Sequence, residues 1–315
     1  MTIFFAVIIP YAAALTFLIG VVCLIVRWAS SPGPFRIPTT CGQQKSLSWI
    51  KSSRLDNPHS TFGVIGRMAL EVLLFRSLFR NTRAELRKGP QLVFDSSKWL
   101  WLGALAFHWS LLIIIIRHLR FFIESEPGAV ALLQTLDGFF QAGIPALLAS
   151  DVIFLTALTF LLLRRMMIPQ LRYISLAVDY FPLLLLGGIA ITGMLMRHFY
   201  KTDLAKIKDL TLGLISMHPV IPSGIGLLFY VHFFLVSLLI AYFPFSKLMH
   251  MGGVFLSPTR NLANNNRRRR HINPWNGPVK VHTYEEYEDE FRSLMVEAGV
   301  PVELEELVQA EKTEL

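Results

Sequence analysis

The sequence predicts an all-α integral membrane protein, a bundle of five transmembrane helices, and three observations predict it. Hydrophobic residues make up 53% of the 315 residues, and the mean hydropathy is +0.48. Apolar runs long enough to cross a bilayer, which takes about 20 residues as a helix, recur through most of the chain. Basic residues gather in the segments between alternate runs, as topology requires of a polytopic protein.

The five runs lie near residues 3–26, 98–122, 143–163, 173–196 and 222–245. Pro10, Pro145, Pro182 and Pro244 fall within them, and membrane helices tolerate proline better than soluble ones do. No basic residue precedes the first run and no small-residue cleavage site follows it, so a retained span is expected rather than a cleaved signal.

Charge sets the expected orientation. From Arg27 to Lys98 there are twelve Lys and Arg against four acids, Asp56, Glu71, Glu85 and Asp95. Arg164, Arg165 and Arg172 flank the link between spans 3 and 4, and Lys247, Arg260 and the run Arg267–Arg270 follow span 5. All fall on one side. The link 123–142 carries only acids, while the link near 197–208 is mildly basic and dissents. The expectation is an outer amino terminus and a cytoplasmic carboxyl terminus, in the cytoplasmic membrane. A net charge of +8 distributed in this way argues against nucleic-acid binding.

The expected organisation is a first span (1–28), a loop (29–97), a membrane core (98–250) and a tail (251–315). Within the loop, residues 62–87 alternate apolar and basic side chains and predict a basic amphipathic helix. The acidic tail predicts helices over 283–298 and 302–311. On the first of these, Tyr284, Tyr287, Phe291, Leu294 and Met295 share an apolar face and Glu285, Glu286, Glu288 and Asp289 the wet one, so the tail is expected to dock a cytoplasmic partner subunit, with a solvated tail as the alternative. Cys23 reads as a small core residue and Cys41 as a structural one. Two cysteines are too few for a cluster or a covalent haem site.

Histidine placement carries the chemistry. Of nine histidines, His59, His271 and His282 lie in polar segments and His198 and His218 in the last outer link. His108 and His118 lie in span 2, His232 and His250 in or just beyond span 5. An ionisable side chain in a membrane helix is costly and marks function. The two steps rise about 15 Å and about 27 Å, a mismatch that tilts must absorb. With spans 2 and 5 antiparallel, His108 meets His250 on the inner side and His118 meets His232 on the outer. Four imidazoles in two tiers suit two haem b groups, with bis-histidine ligation leaving electron transfer as the natural use. Metal-ion ligation is the alternative. Arg117, Arg120 and Arg197 are candidates for propionate or quinone contacts at the outer haem, and Lys98 and Lys247 at the inner one. Interfacial snorkelling is the alternative for each. Asp151, placed about two turns into span 3, is either a proton carrier or the partner of a neighbouring-helix donor, and Asp179 is the other charge at the edge of a span.

Five spans, with His-x9-His in the second and His-x17-His in the fifth, resemble the gamma subunits of respiratory nitrate reductases, dihaem cytochromes b that oxidise quinol. The loop stretches Pro38-Thr39-Thr40-Cys41-Gly42-Gln43-Gln44-Lys45, Leu55-Asp56-Asn57-Pro58 and Gly66-Arg67-Met68-Ala69-Leu70-Glu71 are similar to the DsrM family, gamma-like subunits of DsrMKJOP complexes of dissimilatory sulfur metabolism. This resemblance implies electron exchange between menaquinone and a cytoplasmic iron–sulfur subunit, DsrK, similar to heterodisulfide reductase and acting on the sulfur carrier DsrC. It implies DsrJ, DsrO and DsrP as further partners and a quinone site near His118, Arg120 and Arg197. The nitrate family's pairing carries over as His108 with His250 and His118 with His232. Competing functions are the same module in a nitrate reductase or heterodisulfide reductase complex, and a non-redox anchor or transporter.

Overall fold

The computed structural model describes residues 2–30, 53–87, 91–139, 147–264 and 281–302. Two compact units divide between His271 and Ile272. Cys41, the loop stretch 38–45, the Arg267–Arg270 run and the expected tail helix over 302–311 lie outside the described residues, apart from Val302.

In chain order, a π-helical turn at Phe4–Ile8 runs into α1 (Ile9–Ala29). Ser60 caps α2 (Thr61–Leu74) by accepting from the Gly63 N–H, satisfying a donor the helix leaves unpaired. The helix ends at Phe75, which is left-handed at φ 49°, and α3 (Arg76–Phe79) follows at once. An antiparallel hairpin of β1 (Thr82–Arg87) and β2 (Gln91–Ser96) pairs Thr82 with Ser96 and Arg87 with Gln91. The single amphipathic helix expected over 62–87 is therefore corrected. A left-handed residue cannot continue a right-handed ladder, and beyond Asn81 the backbone groups pair across strands rather than along a helix.

The membrane core follows. It comprises α4 (Lys98–His118), extended by a 3-10 turn at Leu119–Phe121, then α5 (Gly128–Phe139) and α6 (Ala149–Met167). Next come α7 (Pro169–Ile174), α8 (Ala177–His198), α9 (Leu204–Ile215) and α10 (Leu227–Tyr242). Short α11 (His250–Gly253) and α12 (Pro258–Asn261) close the first unit. The second unit holds α13 (Tyr284–Glu297), capped by Thr283 and Glu286 in reciprocal hydrogen bonds.

Four helical stretches are long and apolar enough to cross a membrane: Phe4–Ala29, Lys98–Phe121, Ala177–His198 and Leu227–Phe245. The expected third span differs. It starts at Ala149 rather than near 143, and it carries Asp151, Arg164 and Arg165 over 19 residues. Asp151 accordingly sits in the first turn of α6, not two turns in. The expected fourth span is divided, because Ser175 and Leu176 are extended and separate α7 from α8. The Asp179 carboxylate accepts from the Leu176 N–H and pins that new start.

The core helices pack in a row, α1 on α10, α10 on α8, α8 on α6, and α6 on α4. Leu15, Leu18, Ile19 and Val22 point outward from α1, as lipid-facing side chains do. Cys23 is also on the outward surface, contrary to its expected core position. Ala6, Ile207, Leu210, Leu214 and Phe229 form one apolar cluster, which ties α9 to the start of α1 and α10. Phe107, Phe154, Ala157, Leu158 and Leu186 form the other, between α4, α6 and α8. Gly20 lets α1 approach the Pro244 ring, which a Cβ there would meet at 2.6 Å.

In α13, Glu288 is buried with its carboxylate 3.8 Å from Arg292 Nε. It does not lie on the wet face expected of it. Tyr284, Tyr287 and Leu294 are exposed, in keeping with an uncovered apolar stripe.

Candidate functional site

One helix, α4, supplies His108 and His118 from a continuous ladder. The other two histidines come from a broken arm. After Tyr242 the chain passes through a 3-10 turn at Phe243–Phe245, an extended Ser246 (φ −119°, ψ 171°) and a second 3-10 turn at Lys247–Met249. Pro244 lacks an N–H and its ring obstructs the preceding turn, so a helix stops there. The Ser246 hydroxyl accepts from the Leu248 N–H and restarts the chain in a new direction. His250 therefore does not continue the α10 axis, and the mismatch between the two histidine steps is absorbed by this break.

The result is a loop-side pair and a far-side pair. The rings of His108 and His250 face one another with centroids 6.0 Å apart and planes at 89°. His118, at the end of α4, and His232, within α10, make up the far-side set.

Each ring is oriented through Nδ1. His108 bonds the Ala104 carbonyl, His118 that of Ile114 and His250 that of Lys247, each at 2.7 Å. His232 Nδ1 lies 2.9 Å from Thr192 Oγ1. That hydroxyl donates its own hydrogen to the Gly188 carbonyl at 2.7 Å, so it must accept from the imidazole. All four Nδ1 atoms are thus donors, which leaves the Nε2 lone pairs for a metal. Gly193 gives the His232 ring room, since a Cβ there would lie 3.2 Å from its Cε1.

The loop-side pair, His108 and His250, fits haem. Two imidazole–metal bonds of about 2 Å each, plus the ring radii, call for centroids roughly 6 Å apart. Among the described residues α4 packs chiefly on α6, and α10 on α1 and α8. Among the described residues no group of three or more His, Cys, Asp or Glu converges. Two-nitrogen sites suit a macrocycle that brings its own equatorial donors.

The flanking charges sort differently from one another. Arg117 is buried, and its Nη1 donates to Asp137 Oδ2 at 2.7 Å, Ser150 Oγ at 2.7 Å and Asp151 Oδ1 at 3.3 Å. Asp151 thus has the neighbouring-helix donor. Its other oxygen lies 4.0 Å from His198 Nε2. Among the described residues Arg120 hydrogen-bonds Gln134, at 3.3 Å, and its buried Nε has no hydrogen-bond partner. Arg197 is exposed beside it. At the loop side Lys247 is paired with Asp179, and Lys98 stands 5.8 Å over the Phe79 ring.

The loop also builds onto the site, which the sequence reading did not detect. Trp101 Nε1 donates to the Leu74 carbonyl at 2.7 Å and Trp109 Nε1 to that of Leu73 at 3.0 Å. These indoles cap the open end of α2 and fix Phe75 against His108, centroids 4.9 Å apart. Arg76 and Arg80 both clasp Asp56, and the hydrogen bond from Arg76 holds that carboxyl well below the usual range. Arg260 reaches Glu71 at 3.7 Å, and the Asn264 N–H donates to the Pro58 carbonyl at 2.7 Å. Of the other histidines, His218 is exposed, His282 lies near Glu286 and Glu290, and His271 is outside the described residues.

The chain is 47% identical over 278 residues to an Hdr-like menaquinol oxidoreductase cytochrome b-like subunit of Archaeoglobus fulgidus, covering 86% of this chain and 83% of the relative. A subunit of the same description from Archaeoglobus profundus is 43% identical over 274 residues, covering 85% of this chain and 81% of the relative. Residues 59–268, which include all four paired histidines, match the nitrate reductase gamma subunit model. The chain therefore belongs to the nitrate reductase gamma subunit family.

Proposed function

We propose that this chain is a dihaem cytochrome b subunit that moves electrons between menaquinol and a cytoplasmic iron–sulfur subunit. The observation that carries the reading is the His108–His250 pair, its rings 6.0 Å apart, together with four span histidines engaged through Nδ1 and, among the described residues, with no hydrogen bond at Nε2. Haem clamped by two imidazoles has no open axial position and supplies electron transfer rather than substrate chemistry at iron. His108 and His250 would hold the inner group, His118 and His232 the outer. Arg120 and Arg197 offer cations to propionates or to quinol oxygen at the outer end, whereas Arg117 is already engaged by Asp137. The relatives' description as menaquinol oxidoreductase subunits supports the choice of menaquinol.

Five crossings, with the amino terminus outside and the carboxyl terminus in the cytoplasm, complete this reading. The fifth is α6, which packs between the spans α4 and α8. Arg117 neutralises its Asp151 at one end, and at the other Arg165 donates to Ser175 at 2.8 Å and pairs with Asp179 at 3.6 Å.

At finer grain, the chain is a DsrM-type subunit working with DsrK, and with DsrJ, DsrO and DsrP, in dissimilatory sulfite or sulfur metabolism. The stretches 55–58 and 66–71 support this. The Hdr-like description of the relatives favours a heterodisulfide reductase-like partner over nitrate reductase, and co-purification of the soluble subunit separates the two. The test of the core reading is a reduced-minus-oxidised spectrum of the purified protein, with about two haems per chain expected. Quinol analogues should perturb the outer haem first. Absence of a b-type α band ends the proposal.

A further inference from the structure

We infer that Phe75 is a positioning residue for the inner haem ligand His108, holding its imidazole plane perpendicular to that of His250. The inference rests on the dihaem reading above and deepens it.

Three observations converge on Phe75. Its backbone sits at φ 49°, ψ 48°, a left-handed conformation that is costly for a bulky aromatic residue. Strain of this kind persists only where the surroundings over-determine it, and here they do. Trp109 and Trp101 of α4 bind the two carbonyls just before it, and the Asp56 clasp on Arg76 and Arg80 holds the residues just after it. The strained residue then delivers its ring, edge-on, to the ligand.

His108 is gripped from three directions. Phe75 meets it at 4.9 Å and 75°, Phe107 at 5.1 Å and 80°, and the Ala104 carbonyl holds Nδ1. Edge-to-face contacts of this kind have a preferred angle, so together they would resist rotation of the imidazole about a bond to haem iron. Among the described residues His118 has one ring neighbour, Phe121, at 5.9 Å and tilted. The inner ligand His108 thus has two phenyl neighbours and a carbonyl on Nδ1. Its plane stands at 89° to that of His250. In low-spin ferric haem, crossed imidazole planes bring the iron d orbitals nearer in energy and raise the largest g value, whereas parallel planes lower it.

The experiment is Phe75→Gly in the full chain, read by electron paramagnetic resonance of the oxidised protein and by redox titration of each haem. Glycine relieves the left-handed strain while removing the ring, so it separates a backbone role from a ring role. We expect both haems to be retained, the largest g value of the inner haem to fall, its midpoint potential to shift, and the outer signal to stay. Phe75→Tyr should restore the wild-type inner signal. Loss of the inner haem alone also supports the clamp. If Phe75→Gly does not accumulate, Phe75→Leu is read instead and its inner signal must move in the same direction. An unchanged inner signal in the variant overturns the inference and leaves the dihaem reading standing. Wild-type protein without two low-spin signals overturns the dihaem reading itself.

Discussion

Arg117→Met tests the ion network at the far side. Arg117 is the only cation in contact with Asp137 among the described residues, and the Arg117, Asp137 and Asp151 side chains are 8%, 5% and 11% exposed. Methionine keeps much of the packing and removes the charge. Asp137 keeps its bonds from Ser150 N at 2.8 Å and Ser150 Oγ at 2.7 Å but loses its cation, and Asp151 is left 4.0 Å from His198. Breaking a buried pair by removing one partner costs about 3–5 kcal/mol, while replacing all the charges by neutral groups is often nearly neutral. Arg117→Met should therefore lose about 3–5 kcal/mol, and the triple variant with Asp137→Asn and Asp151→Asn should recover most of it. The assay is denaturant unfolding of the purified protein in detergent. A single-variant loss below about 1 kcal/mol would refute the network account. A shifted outer-haem potential with stability retained would instead assign Arg117 to a propionate.

Three further outcomes are expected. His108→Ala or His250→Ala should remove one haem and His118→Ala or His232→Ala the other, each halving the haem content measured by pyridine haemochrome. Truncation at Asn273, which follows all four ligands, should leave both haems intact but release the iron–sulfur partner in co-purification and abolish quinol-linked turnover. Asp56 titrates below its unfolded value because of Arg76, so the stability it contributes is present above the unfolded value and is lost as pH falls through the folded one. Asp56→Asn should therefore be less stable than wild type at neutral pH, with the gap closing only on strong acidification.

Most of the membrane core was legible from local composition. Apolar runs located α1, α4, α8 and α10 because lipid contact demands the same residue types all round a helix. The four histidines stood out because few polar groups share those runs. Less legible were elements defined by partners. The stretch 62–87 carries one amphipathic pattern, yet Trp101 and Trp109, 27 and 36 residues beyond the carbonyls they bind, cap it at Leu74. Glu288 looked solvated by its charge, and it is buried beside Arg292. Thr192 gave no signal, since a threonine in a membrane helix ordinarily bonds its own helix, and its proximity to His232 spans 40 residues.

By itself the sequence determined the class, the places of the four long apolar helices, and which histidines share or adjoin those apolar runs, because hydropathy and the cost of ionisable groups in lipid act residue by residue. Only the tertiary structure decided how those imidazoles face. The break at Pro244 and Ser246, seated against Gly20, turns His250 toward His108. The indole caps bring Phe75 onto the same ring, and Asp137 draws Arg117 away from His118. Each of these depends on contacts between segments far apart in the chain, where direction rather than composition carries the outcome.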